Sequence, residues 1–190
     1  MICLFSIQTW AQSGKLFNTD NQLSSNLATQ VFQDKSGFIW IATRNGLNTY
    51  DGYHITIIKK DMSNFLGLNS NYINSIAQDE KEHILLGTNN SLLEFTGSEF
   101  LKIPMLDSKG KELATYVKQI YPLRNKDVAV ATSGYGIMLK KQDEQKCHAM
   151  KGEVEKLKYI HKLLEDKRGR LWIITEDGKL YRKETNGRVT

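Results

Sequence analysis

A segment of about 44 residues occurs four times along this chain, and this repetition limits the folds available to it. Each copy contains a run of apolar residues that ends in a threonine, and the four threonines are Thr43, Thr88, Thr132 and Thr175. Successive threonines are separated by 45, 44 and 43 residues. A period of about 40 to 45 residues is typical of β-propellers, in which each repeat forms one four-stranded antiparallel blade.

The residues around the apolar runs predict the turns of such a blade. Asp34–Gly37 and Asp166–Gly169 have the spacing of type I turns, and Asn45–Gly46 is a pair typical of tight hairpins. In three copies an aspartate precedes the threonine by nine residues, whereas the third copy has Leu123 there. The runs are continuously apolar rather than alternating, which indicates strands covered on both faces. Blades that stack around an axis cover one another in this way.

We therefore predict an all-β fold of the β-propeller type, with about four blades of four antiparallel strands in an incomplete ring. The propeller region spans residues 14–190. The predicted blade cores are residues 26–60, 71–103, 115–147 and 158–186.

One segment conflicts with this interpretation. Residues 153–165 contain apolar side chains at nearly helical spacing, which by itself would predict a helix. The repeat alignment instead places residues 159–165 in a strand, and we follow the alignment. It leaves room for a turn of helix within residues 150–158.

The first residues resemble an export signal. Residues 1–13 are short and apolar, and Thr9 and Ala11 have the small-x-small spacing of a cleavage site. The basic segment that normally precedes the apolar stretch is missing. We interpret residues 1–13 as a signal-peptide remnant, with a first strand or a disordered end as the alternatives.

Composition excludes several classes of protein. No apolar run of about 18 to 20 residues occurs, which excludes a multi-span membrane protein. The two cysteines, Cys3 and Cys147, are too few for a fold built on disulfides. The net charge of +5 arises from basic residues scattered among acidic ones, so we expect no nucleic-acid partner.

Catalytic chemistry has little support in the sequence. The four histidines, His54, His83, His148 and His161, have no metal-ligand spacing. The aspartates of the repeats are explained by their turn positions. We predict a non-catalytic chain with no metal site and no cofactor.

If the chain binds a ligand, antiparallel topology indicates the place. The turn after each second strand and the residues before each first strand lie at one end of the blades. The candidate ligand-binding residues there are Asn26, Arg44, Asn45, Asn71, Asn89, Asn90, Tyr135 and Glu176. Amide, arginine and tyrosine side chains can bind and stack on sugars. The alternative is that the asparagines only accept the left-handed backbone of turns.

The first copy resembles the two-component regulator propeller repeat. The matching residues are Ser25, Asn26, Val31, Gln33, Asp34, Gly37, Ile39, Trp40, Ile41, Thr43, Gly46, Leu47, Tyr50, Asp51 and Gly52. The fourth copy also matches well. The second has Glu82 and Leu85 in place of the turn glycine and the tryptophan, and the third keeps only the apolar strand, Thr132 and the glycines.

That resemblance implies the periplasmic sensor region of a hybrid two-component histidine kinase. Such regions usually close a ring of about seven blades, so four copies imply a fragment of a seven-bladed propeller. The resemblance also implies an oligosaccharide ligand, links to transcriptional regulation, and membrane attachment only through parts of the parent outside this chain. The alternatives are a propeller enzyme, such as a lyase or hydrolase, and a protein-interaction adaptor. An open arc leaves two blade faces uncovered, and we expect further blades or self-association to cover them.

Overall fold

The computed structural model describes residues 14, 16–60 and 67–190. The predicted signal-peptide remnant, residues 1–13, lies outside the described residues. The described part is all-β, as predicted, with four separate sheets arranged in chain order. Its two 3₁₀ helices are Thr19–Asn21 and Glu153–Lys156. Within the described residues no helix has the length and apolarity needed to cross a membrane.

Blades 1 and 2 are four-stranded antiparallel sheets, each strand paired with the next along the chain. Blade 1 contains β1 (Ala28–Gln33), β2 (Ile39–Thr43), β3 (Gly46–Tyr50) and β4 (Ile55–Ile58). Blade 2 contains β5 (Ile73–Gln78), β6 (Ile84–Thr88), β7 (Leu92–Phe95) and β8 (Phe100–Ile103). Both agree with the predicted blade architecture.

The other two sheets depart from four strands in opposite directions. A short hairpin, β9 (Met105–Leu106) and β10 (Glu112–Leu113), joins blade 3. Blade 3 itself has β11 (Val117–Pro122), β12 (Val128–Thr132), β13 (Ile137–Lys140) and β14 (Cys147–Ala149). Because β9 pairs in parallel with β14, this sheet has six strands. The residues between blades 2 and 3 thus extend the outer edge of blade 3.

Blade 4 has three strands, β15 (Ile160–Glu165), β16 (Leu171–Thr175) and β17 (Leu180–Lys183). Its fourth strand is reduced to a bridge between Lys183 and Val189. β15 confirms the repeat alignment over the helical spacing of residues 153–165. The turn of helix expected within residues 150–158 is the 3₁₀ helix Glu153–Lys156.

The repeated threonines and aspartates close the hairpins of each blade. The four threonine hydroxyls donate to carbonyl oxygens at the start of the third strand, at distances of 2.7 to 3.1 Å. Asp34 accepts bonds from the Phe38 N–H and the Trp40 indole N–H. Asp166 binds the Trp172 indole in the same way. This bond is the main reason that its carboxyl pKa lies well below the usual value, since it and the weaker bonds from Arg170 and Arg168 together outweigh desolvation, which raises the pKa.

Three apolar clusters hold the blades together, one at each blade-to-blade contact. Ala42, Leu86, Val130 and Ile173 of the second strands are fully buried in them. Blade 1 contributes Trp40 and Leu47 to the cluster it shares with blade 2. Burial on both faces therefore explains the continuous apolar runs of the sequence.

A β-bulge lies at the same place in the innermost strand of each blade, which is its first strand along the chain. The pairing register shifts around Thr29 in β1 and Asn74 in β5, and around Lys118 in β11 and His161 in β15. A bulge leaves one residue unpaired and changes the direction of its side chain. The four bulges thus turn one polar side chain per blade out of the regular alternation.

The residue after each bulge connects its blade to the next. Gln30 accepts from the Ile76 N–H and donates to the Ile76 carbonyl, with distances of 2.9 and 2.8 Å. The Ile120 N–H donates to Ser75 at 3.0 Å, and the Leu163 N–H donates to Gln119 at 2.7 Å. Each blade is therefore fixed to its successor at the level of the bulges.

Candidate functional site

The four bulge residues line a groove along the innermost strands. This groove has a volume of about 400 Å³ and is bordered by residues from all four blades. Its lining is Leu27, Ala28, Thr29, Arg44, Tyr72, Asn74, Tyr116, Lys118, His161 and Lys162. We take it as the candidate site, because a larger hollow of about 580 Å³ is bordered by blade 4 and the segment leading into it alone.

Two tyrosines form the floor of the groove. Tyr72 and Tyr116 occupy equivalent positions, two residues before the bulged residue of β5 and β11, and their ring centroids are 6.0 Å apart at an angle of 61°. The Arg44 guanidinium lies 5.6 Å from the centroid of Tyr72, and the Lys118 ammonium lies 4.5 Å from that of Tyr116. Cations at these distances are attracted to the ring faces. The groove therefore combines flat apolar surface with positive charge.

The Tyr116 hydroxyl is held as a hydrogen-bond donor. It donates to Asn74 Oδ1 at 2.7 Å. Desolvation, followed by its contact with Tyr72, raises the pKa of Tyr116 to about 12. The phenol thus stays protonated at neutral pH.

The Asn74 side chain has one polar atom with a hydrogen-bond partner and one without. Its Oδ1 accepts the hydrogen bond from the Tyr116 hydroxyl, while its Nδ2 is buried and has no hydrogen-bond partner. Buried polar groups without a partner are uncommon, since each costs about 1–3 kcal/mol. An orphaned donor in a groove wall is available to an oxygen atom of a ligand.

The structure separates the predicted site residues into two groups. Arg44 lines the groove, and Glu176 reaches it through an ion pair with Lys118 at 3.2 Å. Tyr135 borders a different cavity with Met150.

The predicted asparagines are engaged in turns. Asn26 accepts from the Thr19 N–H, and Asn71 accepts from the Lys60 N–H. Asn89 accepts from the Ser70 hydroxyl, and Asn90 from the Thr88 hydroxyl. The Asn45 N–H donates to Thr43 within its hairpin. These contacts agree with the alternative that asparagine shapes the turns, and a binding role for these residues stays a prediction.

Sequence reasoning missed the bulge residues and the two tyrosines. It selected residues at the ends of strands, of which Arg44 does line the groove, whereas most of the lining lies in the first strands or directly before them. The bulge residues at 29, 74, 118 and 161 stand among other polar residues of the first strands, so the sequence carries no distinct signal for them.

A second polar cluster lies between blades 2 and 3. Ligand atoms of Asp79, His83 and Glu94 all lie within 4.8 Å of one another, a spacing that a metal ion could use. The ammonium of Lys140, which is buried, lies 3.7 Å from Asp79 Oδ2, and His83 Nδ1 lies 2.8 Å from Glu94 Oε1. The lysine already brings positive charge to the buried carboxylates, so we interpret the cluster as an ion-pair network.

Comparison with protein families finds one repeated match. Residues 22–45, 67–90 and 156–177 match the family model described as the two-component regulator propeller. These segments cover the beginnings of the first, second and fourth repeats identified above. No curated protein matches the chain.

Solved structures of propellers resemble the chain throughout its length. The extracellular domain of a hybrid two-component system from B. thetaiotaomicron is 17% identical with a TM-score of 0.75, over 87% of this chain and 25% of that one. PorZ, a surface component of the type-IX secretion system of Porphyromonas gingivalis, is 19% identical with a TM-score of 0.61, over 83% and 26%. Virginiamycin B lyase from Staphylococcus aureus is 13% identical with a TM-score of 0.63, over 86% and 54%.

These similarities establish the propeller fold. The chain spans about a quarter of the length of the B. thetaiotaomicron domain. The structures that resemble it include sensor domains as well as enzymes, so the fold by itself leaves the activity open.

Proposed function

Because this chain carries two-component regulator propeller repeats, we propose that it is a non-catalytic, ligand-sensing propeller module of a periplasmic receptor. Its ligand is an oligosaccharide, and the parent receptor passes ligand occupancy to a histidine kinase that regulates transcription. The resemblance to an extracellular domain of a hybrid two-component system supports this placement. The receptor reaches the membrane through parts outside this chain.

The observation that carries the proposal is the groove along the innermost strands. Tyr72 and Tyr116 offer ring faces for stacking on a sugar, and Asn74 offers a buried donor without a partner. A few placed polar groups beside an aromatic surface are typical of small-molecule sites. The groove crosses four blades, so an occupant would contact all of them at once.

A propeller enzyme is the second candidate, favoured by the resemblance to virginiamycin B lyase. General acid–base chemistry needs titratable groups that are free to exchange protons near the substrate. The one carboxylate at the described groove, Glu176, is ion-paired with Lys118. His161 also lines the groove, but its side chain has no hydrogen-bond or ion-pair partner in the described part of the chain that would orient it as a base. This arrangement favours binding without turnover.

Calorimetric titration of the chain with a panel of neutral and acidic oligosaccharides tests the proposal. We expect binding of at least one of them, weakened about tenfold or more by Tyr72→Ala. Tyr53→Ala is the matched control, because Tyr53 is exposed and lies outside the groove. Chromatography of the titrated sugars should show no cleavage. Absence of binding up to millimolar sugar would overturn the proposal, and cleavage products would favour the enzyme.

A further inference from the structure

The groove has more free hydrogen-bond donors than acceptors. From this imbalance we infer that its ligand is an acidic oligosaccharide, with a uronate carboxylate or a sulfate ester seated between Arg44, Asn74 and Lys162. The inference rests on the proposed function and specifies the chemistry of the ligand.

The strongest acceptors of the groove are already engaged. Tyr116 donates to Asn74 Oδ1, and Lys118 holds Glu176 Oε1 at 3.2 Å. A neutral sugar presents hydroxyl groups that both donate and accept. In this groove its hydroxyls would find donors more readily than acceptors.

The donors, in contrast, are largely free. Asn74 Nδ2 is buried without a partner. Neither Arg44 nor Lys162 forms an ion pair with any residue in the described part of the chain, and both are exposed. An oxyanion accepts hydrogen bonds from several such donors at once, and charge-assisted bonds are about twice as strong as neutral ones.

The charges of the groove favour an anion as well. Arg44, Lys118 and Lys162 are three cations, and Glu176 is the one carboxylate beside them. These four residues together carry a net charge of +2. A positively charged concave surface attracts anions and raises their rate of association.

Lys162 also differs from its equivalents in the other blades. The same position is Gln30 in blade 1, Ser75 in blade 2 and Gln119 in blade 3, and each of these binds the backbone of the following blade. The side chain of Lys162 makes no hydrogen bond or ion pair within residues 14, 16–60 and 67–190. Its ammonium is therefore available at the edge of the groove.

The test compares three ligands of similar size: an oligogalacturonate, a sulfated oligosaccharide and a neutral oligogalactoside. We expect the chain to bind at least one acidic ligand ten times more tightly than the neutral one. Binding should weaken as salt rises from 50 to 500 mM, because ionic interactions are screened. Preference for the uronate or for the sulfate identifies which anion the groove takes.

Arg44→Gln and Lys162→Gln should each weaken acidic-ligand binding by about fivefold or more, and should weaken it more than they weaken binding of the neutral ligand. Lys167→Gln is the matched control, because Lys167 is exposed in the turn at the opposite end of blade 4. Equal affinity for neutral and acidic ligands would overturn the inference while the proposed sensor function stands. Unchanged acidic binding in both variants would also overturn it. Failure of all three sugars to bind would overturn the proposed function as well.

Discussion

Lys140 replaces a side-chain contact that is present in blades 1 and 4 and absent from blade 2. In blades 1 and 4 the turn aspartate accepts a hydrogen bond from a tryptophan indole six residues later. In blade 2 that position is Leu85, which has no N–H to donate from its side chain. Asp79 Oδ2 instead faces the ammonium of Lys140, which comes from blade 3 and is 2% exposed. A contact within one blade has become a contact between two.

Lys140→Met tests whether the contact between Lys140 and Asp79 stabilises the fold. The substitution leaves the buried Asp79 carboxylate without the lysine, and breaking a buried ion pair costs about 3–5 kcal/mol. We expect a loss of that order in the free energy of unfolding, measured by urea denaturation at pH 7. Lys146→Met, at an exposed position, is the control. A loss of unfolding free energy below about 1 kcal/mol would show that the Asp79 carboxylate finds another partner.

Single residues also explain why the second and third copies match the repeat pattern less well than the first and fourth. Gly37 and Gly169 take the left-handed backbone of the turn, with φ of 92° and 74°. Glu82 and Lys126 occupy the equivalent turn positions in copies 2 and 3 with φ of 66° and 73°. The turn geometry is therefore kept while the residue type that predicts it is lost. Sequence alone identified the turn in copies 1 and 4 with more certainty than in the others for this reason.

At the scale of elements, strands were predictable and bulges were not. The apolar runs of 39–43, 84–88, 128–132 and 171–175 lie in β2, β6, β12 and β16, because burial on both faces leaves a continuous apolar signature. A bulge shifts the register by one residue without changing composition. The groove residues depend on that shift, so residue types alone do not predict the site. The added hairpin β9–β10 was missed because two-residue strands carry almost no pattern.

Gln30→Ala tests the hydrogen bonds by which the residues after the bulges connect neighbouring blades. Gln30 makes two hydrogen bonds to the Ile76 backbone, whereas Gln119 makes one to Leu163. Each bond contributes about 0.5–1.5 kcal/mol, and leaving a buried partner unpaired costs more. We expect Gln30→Ala to lower the unfolding free energy by about 1–3 kcal/mol and Gln119→Ala by roughly half as much. Gln33→Ala, which removes a bond within blade 1, should have the smallest effect.

An equal loss of unfolding free energy in all three glutamine variants would contradict a stabilising role for the hydrogen bonds between blades. It would mean that the cost comes from side-chain truncation in a strand rather than from bonds between blades.

At the scale of the whole molecule, the two ends of the arc differ. We expected two uncovered faces, but the outer face of blade 1 is partly covered by the segment before β1. The Ser24 N–H donates to the buried Asn48 side chain at 2.8 Å, and Leu23 packs nearby, also buried. The outer face of blade 4 has no such cover among the described residues.

The uncovered face of blade 4 has the pattern of a blade-to-blade contact. Leu164, Ile174 and Leu180 are 57%, 39% and 59% exposed. Their equivalents in blade 1 by strand register are Phe32, Ala42 and Leu47, which pack in the cluster shared with blade 2. We therefore propose that this face receives another blade. A further blade of the same parent chain would occupy it without the entropic cost of bringing two molecules together.

For the isolated chain, a second copy is the available blade-like partner. A sheet face of three strands by five residues, as in blade 4, measures about 14 by 17 Å, or roughly 240 Å². Two such faces bury about 480 Å² in total, well below the roughly 1,200 Å² of the smallest stable interfaces. We therefore expect a weak dimer whose population rises with concentration between about 10 and 500 μM in sedimentation velocity.

The double variant Ile174→Lys/Leu180→Glu should hold the chain monomeric across that range, because it places charges on the face that would be buried. Leu101→Glu is the control, since Leu101 is similarly exposed but lies on the outer strand of blade 2. Dimerisation that persists in the double variant would place the contact elsewhere on the molecule. A wild-type chain that stays monomeric at 500 μM would show that blade 4 tolerates exposure, since apolar side chains at 39% and 59% exposure still keep part of their surface from water.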